Sequence, residues 1–362
     1  MSTQDKDTGT PELVAVRDAH QFDVDALMRF LDAHNLLDGA LDIQQFQGGQ
    51  SNPTFLLTVG TGDLAKRYVL RKQPPGKILP SAHRVDREYK VMAALADAPG
   101  VPVPAMRAFC DDTAVIGTPF YVMDYIDGRV LGDPSLASLD KSQRAGIYHG
   151  LIDTLAALHD VDVDAAGLAD FGKPTGYIER QVKLWRNQYD QSTNDPDPAM
   201  IALGDWLQAH LPPDSAPAIA HGDFRIGNLL MSPDLSRVVA VLDWELSTIG
   251  HPLADLAYAC LPYYLPQGMS GLPGIEGLDL AEHGIPTEAE LLARYRTARG
   301  LGPIDDWPVY VAFSLYRIAA ILQGVYARAV QGNASNEDAL NVGRQAGQLA
   351  ERGWQVAQRH DG

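Results

Sequence analysis

Between residues 41 and 126 apolar residues recur with the period of strands, and beyond "IDGR" they recur with the period of helices. That change of period constrains the fold more than any other feature. "LDIQQFQ", "TFLLTVG" and "RYVLRKQ" read as three strands, joined by "GGQSNP" and by the turn "TGDLAK". A helix follows in "AHRVDREYKVMAALA", where Val85, Tyr89, Met92 and Leu95 repeat at three to four, and "AMRAFCD" and "FYVMDYI" add two strands. Ahead of them Asp23 caps a helix that carries Val24, Leu27, Met28 and Leu31. The expectation is an α+β chain: a mobile, polar tail over residues 1–20, a small five-stranded lobe with one inserted helix over 21–125, and a larger, mainly helical lobe over 126–362. Inside the helical part, "AIAHGD", "NLLMS" and "RVVAVLD" are short strand segments joined by tight turns.

Composition narrows the function classes. A net charge of −17 disfavours nucleic acid or an anionic membrane as a partner of the whole surface. One segment runs against that balance: Lys66, Arg67, Arg71, Lys72, Lys77, Arg84, Arg87 and Lys90 face only Asp86 and Glu88, which predicts a local anion site. Cys110 and Cys260 are far apart and lack metal-ligand spacing, and the N-terminal residues lack a basic region followed by an apolar core, so a reduced, cytoplasmic protein is expected. The long apolar run at 309–330 is interrupted by Ser314, Arg317, Gln323 and Arg328, which predicts a buried helix rather than a membrane span. Nothing in the sequence speaks to oligomeric state.

The polar residues in "AIAHGDFRIGNLLM" (218–231) lie on a loop held between strands. Asp223 and Asn228, with Asp243 ending "VVAVLD", put three oxygen acceptors at neighbouring strand ends. Mg²⁺ takes oxygen ligands and keeps waters and substrate phosphates in its other positions, so Asn228 and Asp243 suffice as protein ligands. Asp223 is then free to orient a hydroxyl and accept its proton, and Arg225 can stabilise charge on a transferring phosphoryl group. Upstream, the glycines of "GGQSN", Gly48 and Gly49, allow close backbone approach, and Ser51 and Asn52 can donate to phosphate oxygens. Lys72, ion-paired to Glu88 on the following helix, would point at phosphate. The Asp124 carbonyl and the Ile126 amide alternate correctly to read an adenine edge. ATP and Mg²⁺ are the cofactors this set predicts.

These residues resemble the aminoglycoside phosphotransferase family, a branch of the protein-kinase-like bilobal fold that also includes choline and homoserine-type kinases. The family's His-Gly-Asp loop, with Asn five residues after the Asp, matches His221, Gly222, Asp223 and Asn228, and its metal aspartate matches Asp243 in "DWE". The resemblance runs from about residue 40 to the C-terminus. "GGQSNPTFLL", "YVLRKQPPGKILPSAH", "VIGTPFYVMDY" and "LDWELSTIGHPLADLAY" are further similar to the phosphotransferase domains fused to acyl-CoA dehydrogenases in animals and to their stand-alone bacterial relatives. That resemblance implies phosphorylation of a hydroxyl on a small molecule, a hydroxyacyl-CoA or hydroxy acid. It also implies that His221 braces the catalytic loop and that Asp255 supports it from below. Antibiotic-modifying members carry Gly-Arg after the metal aspartate where this chain has Trp244 and Glu245, which argues against an aminoglycoside acceptor.

Simpler readings stand beside these. "GGQSN" alone is a hairpin turn, and an isolated Lys72–Glu88 pair contributes little. His159 reads as a helix-end residue facing terminal carbonyls. Trp185, Trp206, Tyr263 and Tyr264 are pocket candidates, although aromatic residues at helical spacing usually belong to a core. Arg317 in its apolar helix needs a carboxylate partner or faces substrate, since an unpaired buried guanidinium is expensive. The rival functions are an aminoglycoside or choline-type kinase, a metallohydrolase built on His221, Asp223, Asp243, Glu245 and His251, and a non-catalytic nucleotide-binding module.

Overall fold

The computed structural model describes residues 12–47, 52–76, 83–331 and 339–361. In chain order the elements are β1 (Leu13–Val14), α1 (Val24–Ala33), β2 (Leu41–Phe46), β3 (Thr54–Val59), β4 (Lys66–Lys72), α2 (Val85–Ala94), β5 (Met106–Cys110), α3 (Thr113–Ile116), β6 (Phe120–Asp124) and β7 (Arg129–Val130). Then come α4 (Lys141–Asp160), α5 (Tyr177–Ser192), α6 (Pro198–Ala209), β8 (Ala218–Ala220), β9 (Leu229–Met231), β10 (Val238–Val241) and β11 (Thr248–Gly250). The chain ends with α7 (Pro252–Ala259), α8 (Leu280–His283), α9 (Glu288–Arg299), α10 (Trp307–Val330), α11 (Ala339–Gly343) and α12 (Ala346–Asp361).

Two compact units divide these elements. The first comprises residues up to Gly132 together with Gly227–Ser247, and the second comprises Asp133–Ile226 and Thr248 onward. Period alone suggests one boundary, at 125/126. The division is instead discontinuous because β7 pairs with β9 and β9 with β10, so the hairpin bearing Asn228 and Asp243 joins the first unit. Gly128 permits that pairing: a Cβ there would meet the Met231 carbonyl oxygen at 2.5 Å.

In the first unit an antiparallel sheet runs in the order β1-β2-β3-β4-β6-β5. The expected five strands are present, and a sixth comes from the segment read as a mobile tail: Leu13 pairs with Phe46 and Val14 with Gln45. The apolar run at 13–16 is too short to show alternation, and it is the paired edge of β2 that orders it. Alternation gives the sheet two faces. Phe55, Leu57, Tyr68, Leu70, Phe120 and Val122 point to one face and pack with Leu27 and Leu31 of α1. Asp23 caps α1 by accepting the Ala26 amide at 2.9 Å, which fixes the helix start and so the phase of its apolar stripe. Each such fully buried Leu or Phe contributes about 1.5–3 kcal/mol.

The second unit is helical apart from the β8–β11 pair. The Asp140–Gln143 capping box starts α4. α10, the apolar run noted above, has 72% of its most apolar window buried within the protein, where it packs against α5, α6, α7, α11 and α12. It is long and apolar enough to cross a membrane by composition, and its burial is that of a core helix.

Candidate active site

On the opposite face of the first unit's sheet, Thr54, Val69, Arg71, Tyr121 and Met123 line a cavity of about 270 Å³. Strand parity decides which basic residue of "LRK" reaches it. Arg71 pairs across the sheet with Thr54 and Tyr121, whereas Lys72 pairs with Phe120 and shares the face of Leu70. The expected Lys72–Glu88 ion pair is therefore not formed. Lys72 is buried with its Nζ 5.2 Å from the centre of the Phe22 ring, and burial pulls its pKa down. Arg71 takes its place: Nε lies 2.9 Å from Glu88 Oε2 and Nη2 lies 3.0 Å from Asp243 Oδ1. Burial opposes the Arg71 charge, but Glu88, Tyr121, Asp243 and Glu245 outweigh it and hold the guanidinium cationic.

Glu88 is 1% exposed and fully engaged. Asn52 Nδ2 donates to Oε1 at 2.7 Å and the Tyr121 hydroxyl donates to Oε2 at 2.9 Å. Burial, with a smaller push from Asp243, raises the Glu88 pKa, while Arg71, Tyr121 and Asn52 oppose the rise. Asn52 is thus corrected from a phosphate donor to a buried brace of Glu88, with its Oδ1 accepting from His83 Nδ1 at 3.1 Å. Gly48, Gly49 and Ser51 lie outside the described residues. Nor is the basic segment a uniform anion site: Arg67 pairs with Asp127, Arg84 with Asp86, and Arg71 as above.

Asp124, Tyr125 and Ile126 reach the same cavity. The Asp124 amide donates to the Ala105 carbonyl and the Tyr125 amide to the Arg67 carbonyl, so Ile126 follows the last ladder bond. The Asp124 side chain turns away and holds Arg107 at 2.7 and 2.5 Å. Asn228 and Asp243 line the cavity as well. Asp243 has φ +65° and ψ +60°, a left-handed backbone that costs a non-glycine residue about 1 kcal/mol or more. Buried Trp244 enforces it: its indole Nε1 donates to the Val241 carbonyl at 2.9 Å, and Ser247 Oγ donates to the Trp244 carbonyl at 2.6 Å. An amide oxygen and a carboxylate oxygen on one cavity wall fit a hard divalent cation that keeps water and phosphate oxygens as its other ligands.

In the second unit the loop after β8 carries Asp223. Its backbone hangs on Asp255 of α7, whose carboxylate accepts the His221 amide at 2.6 Å and the Gly222 amide at 2.8 Å. Gly222 has φ +84°, which lets the chain turn so that both amides face one carboxylate. Burial pushes the Asp255 pKa up, but His159, His221 and the Gly222 amide overcome it and leave the group below its usual value. His159 does lie in the last turn of α4, as expected, but its ring turns to Asp255 and Tyr295 rather than to the terminal carbonyls. It is buried, with Nε2 3.5 Å from Asp255 Oδ2 and Nδ1 accepting from the Tyr295 hydroxyl at 2.7 Å, and burial keeps it neutral. His221 Nδ1 accepts the Asp223 amide at 3.2 Å, so its ring braces the loop. The Asp223 carboxylate stays partly exposed, beside the Tyr258 hydroxyl, whose pKa burial and then the Asp223 charge push up, and 3.5 Å from Arg225 Nε. Phe224 and Ile226, both buried, anchor the residues between.

Of the aromatic pocket candidates, Tyr263 donates to the Pro286 carbonyl, Tyr264 to Glu288, and Trp206 stacks on His210, all fold contacts. Among the described residues no three His, Cys, Asp or Glu side chains gather as a metal cluster. His251, needed by the hydrolase alternative, caps α7 by accepting the Leu253 amide.

The phosphotransferase enzyme family model matches residues 42–313. The chain belongs to the phosphotransferase enzyme family. This phosphotransferase is 44% identical to acyl-CoA dehydrogenase family member 10 of Mus musculus over 96% of its own length, and it spans 32% of that relative. A solved protein from Ralstonia eutropha, provisionally described as an aminoglycoside phosphotransferase, is 43% identical with a TM-score of 0.85, over 94% of this chain and 99% of that one. An aminoglycoside phosphotransferase solved with ADP and hygromycin B covers 91% of this chain and 98% of its own at 14% identity and a TM-score of 0.59, a likeness of fold. The α+β, kinase-like fold and kinase-type phosphotransfer expected of the sequence are those of the family. Arg71 and Tyr258 are what the sequence reading missed: strand parity with Phe55, Leu57 and Leu70 would have singled out Arg71, whereas no local signal marks Tyr258.

Proposed function

We propose that this phosphotransferase moves the γ-phosphate of ATP to a hydroxyl of a small acyl compound, a hydroxyacyl-CoA or a hydroxy acid. The observation that carries the proposal is the Asp223 carboxylate, partly exposed on a loop whose His221, Gly222 and Asp223 amides are satisfied from beneath. The acyl preference rests on the similarity to an acyl-CoA dehydrogenase family member.

The purine edge is read at the Asp124 carbonyl and the Ile126 amide, and Arg71 supplies a fixed positive charge to the phosphates. Asn228 and Asp243 would hold Mg²⁺, which when bound neutralises charge on the phosphate oxygens. Asp223 orients the acceptor hydroxyl and takes its proton as the oxygen–phosphorus bond forms and the bond to the ADP oxygen breaks. Arg225, exposed beside Asp223, can follow the charge that develops on the transferring group.

Turnover with MgATP against hydroxyacyl-CoAs, free hydroxy acids, choline and aminoglycosides tests the reading; the last are included because the Ralstonia protein carries that description. The expected product is a phosphoryl monoester of an acyl acceptor, identified by mass spectrometry. Asp223→Asn keeps the shape and removes the proton acceptor, so kcat should fall by about 10²–10⁴ with ATP affinity retained. Undiminished transfer by this variant refutes the role of Asp223, and transfer only to aminoglycosides refutes the acyl preference.

A further inference from the structure

Arg317 lies in the middle of α10 and is 8% exposed. Several arginines of the second unit find carboxylates, as Arg186 does with Asp190 and Asp205, Arg294 with Asp153 and Arg299 with Asp160, while Arg144 is held by three carbonyls. Arg317 has no such partner among the described residues, and its Nε is enclosed without a hydrogen-bond acceptor. A buried donor left without an acceptor is costly, so this position calls for a partner that the described fold does not supply. The structural ion pair that would explain it is absent.

The neighbours of Arg317 point to a ligand. Its Cζ lies 5.7 Å from the centre of the Trp185 ring and 5.3 Å from that of Tyr258. Two aromatic faces steady a cationic plane and offset part of its desolvation, but they supply no acceptor oxygen. Tyr258 is also the residue whose hydroxyl lies beside Asp223. A polar contact plus half a tyrosine ring on one side and the ring–guanidinium distance on the other put Arg317 within about 12 Å of the Asp223 carboxylate. One tyrosine therefore touches both the proton acceptor and a guanidinium that lacks an anion.

We propose that Arg317 binds the acyl oxygen of the acceptor, a carboxylate or a thioester carbonyl, and so sets which hydroxyl is offered to Asp223. This rests on the reaction given above and deepens it. The planar donor fork of arginine matches a carboxylate or carbonyl oxygen. The same buried positive charge works against polycationic aminoglycosides and against choline, which would bring like charge to a low-dielectric site. Arg317 is thus a specificity residue that selects for an acyl group and against a cation.

The test pairs turnover with equilibrium binding, using a hydroxy acid, its CoA thioester and the diol that lacks the acyl oxygen. Wild type, Arg317→Met and Arg317→Lys are compared for acceptor KM, for acceptor binding by calorimetry without nucleotide, for ATP KM and for Tm. The expected result is an acceptor KM raised about 100-fold or more in Arg317→Met, because one side of a buried, charge-assisted bond is lost. Binding of the acyl compound should weaken in parallel, the preference over the diol should collapse, and ATP KM should stay unchanged. Arg317→Lys should recover part of the affinity, and whichever of the acid and thioester suffers more identifies the natural group. Tm should hold or rise in Arg317→Met, since no ion pair is broken. A fall in Tm with an unchanged acyl-to-diol ratio overturns the proposal and makes Arg317 structural. Acyl binding that depends on Arg317 without any turnover sustains the site and refutes the reaction; turnover with binding indifferent to Arg317 does the reverse. Absence of both binding and turnover refutes the two together.

Discussion

Replacing Arg71 and Lys72 in turn by methionine separates the role assigned by strand parity from the one read off the sequence. Arg71→Met leaves Glu88, 1% exposed, without its cation while its bonds from Asn52 and Tyr121 persist. Removing one partner of a buried pair costs about 3–5 kcal/mol, because the remaining charge keeps its desolvation penalty. For a body of this size that corresponds to a Tm lower by roughly 10 °C. Arg71 also lines the cavity beside Asp243, so ATP affinity should drop at least about tenfold, the scale of one charge-assisted bond. Lys72→Met deletes a buried ammonium that sits over the Phe22 ring, and methionine fills much of the same volume. Its expected effect is within about 1 kcal/mol, since the lost cation–π contact and the relieved desolvation nearly cancel. Differential scanning fluorimetry with and without ATP, backed by calorimetric ATP titration, reads both variants. If Lys72→Met abolishes ATP binding while Arg71→Met retains it, the parity argument is wrong and the lysine is the phosphate residue after all.

Two further outcomes follow from the second unit. Asp255→Asn leaves one acceptor oxygen for two amide donors, so stability should fall by about 2–4 kcal/mol and kcat should drop more than ATP KM changes; equal kcat in a folded variant would show that Asp255 does not hold the loop. Burial pushes His251 down to about 4 from 6.5, with the Pro213 carbonyl and Asp214 opposing. The unfolded chain therefore binds the extra proton between these values, so the associated stability, about 3 kcal/mol, is complete above pH 6.5 and is lost as pH falls toward 4. His251→Asn keeps an N-cap acceptor for the Leu253 amide and should flatten that acid limb in urea titrations. An unaltered pH dependence would assign the acid sensitivity elsewhere.

What the sequence by itself determined is what a few adjacent residues encode. Alternation specified five strands, three-to-four spacing specified α1 and α2, a long apolar run broken by a few polar residues specified the core helix α10, and the His221–Asp223, Asn228 and Asp243 spacing identified the reaction class. Tertiary structure decided the pairings, whose partners are far apart along the chain. Arg71 and Asp243 are 172 residues apart; His159 and Tyr295 are 136 apart. Nothing local records such partners, so a guess from proximity chose Lys72 for Glu88 and gave the His159 ring to the carbonyls of its own helix end. The strand was legible, but the face each residue takes depends on register against β3 and β6, and a step of one residue exchanges the buried face for the cavity. The same holds for Leu13–Val14, ordered only by the edge of β2, and for Asn228 and Asp243, drawn to the first unit by β7. Arg317 shows the limit most plainly: its sequence posed the choice between ion pair and ligand, and only the packing of α5, α7 and α10, with two aromatic rings and no ion-paired carboxylate among the described residues, removes the ion pair from that choice.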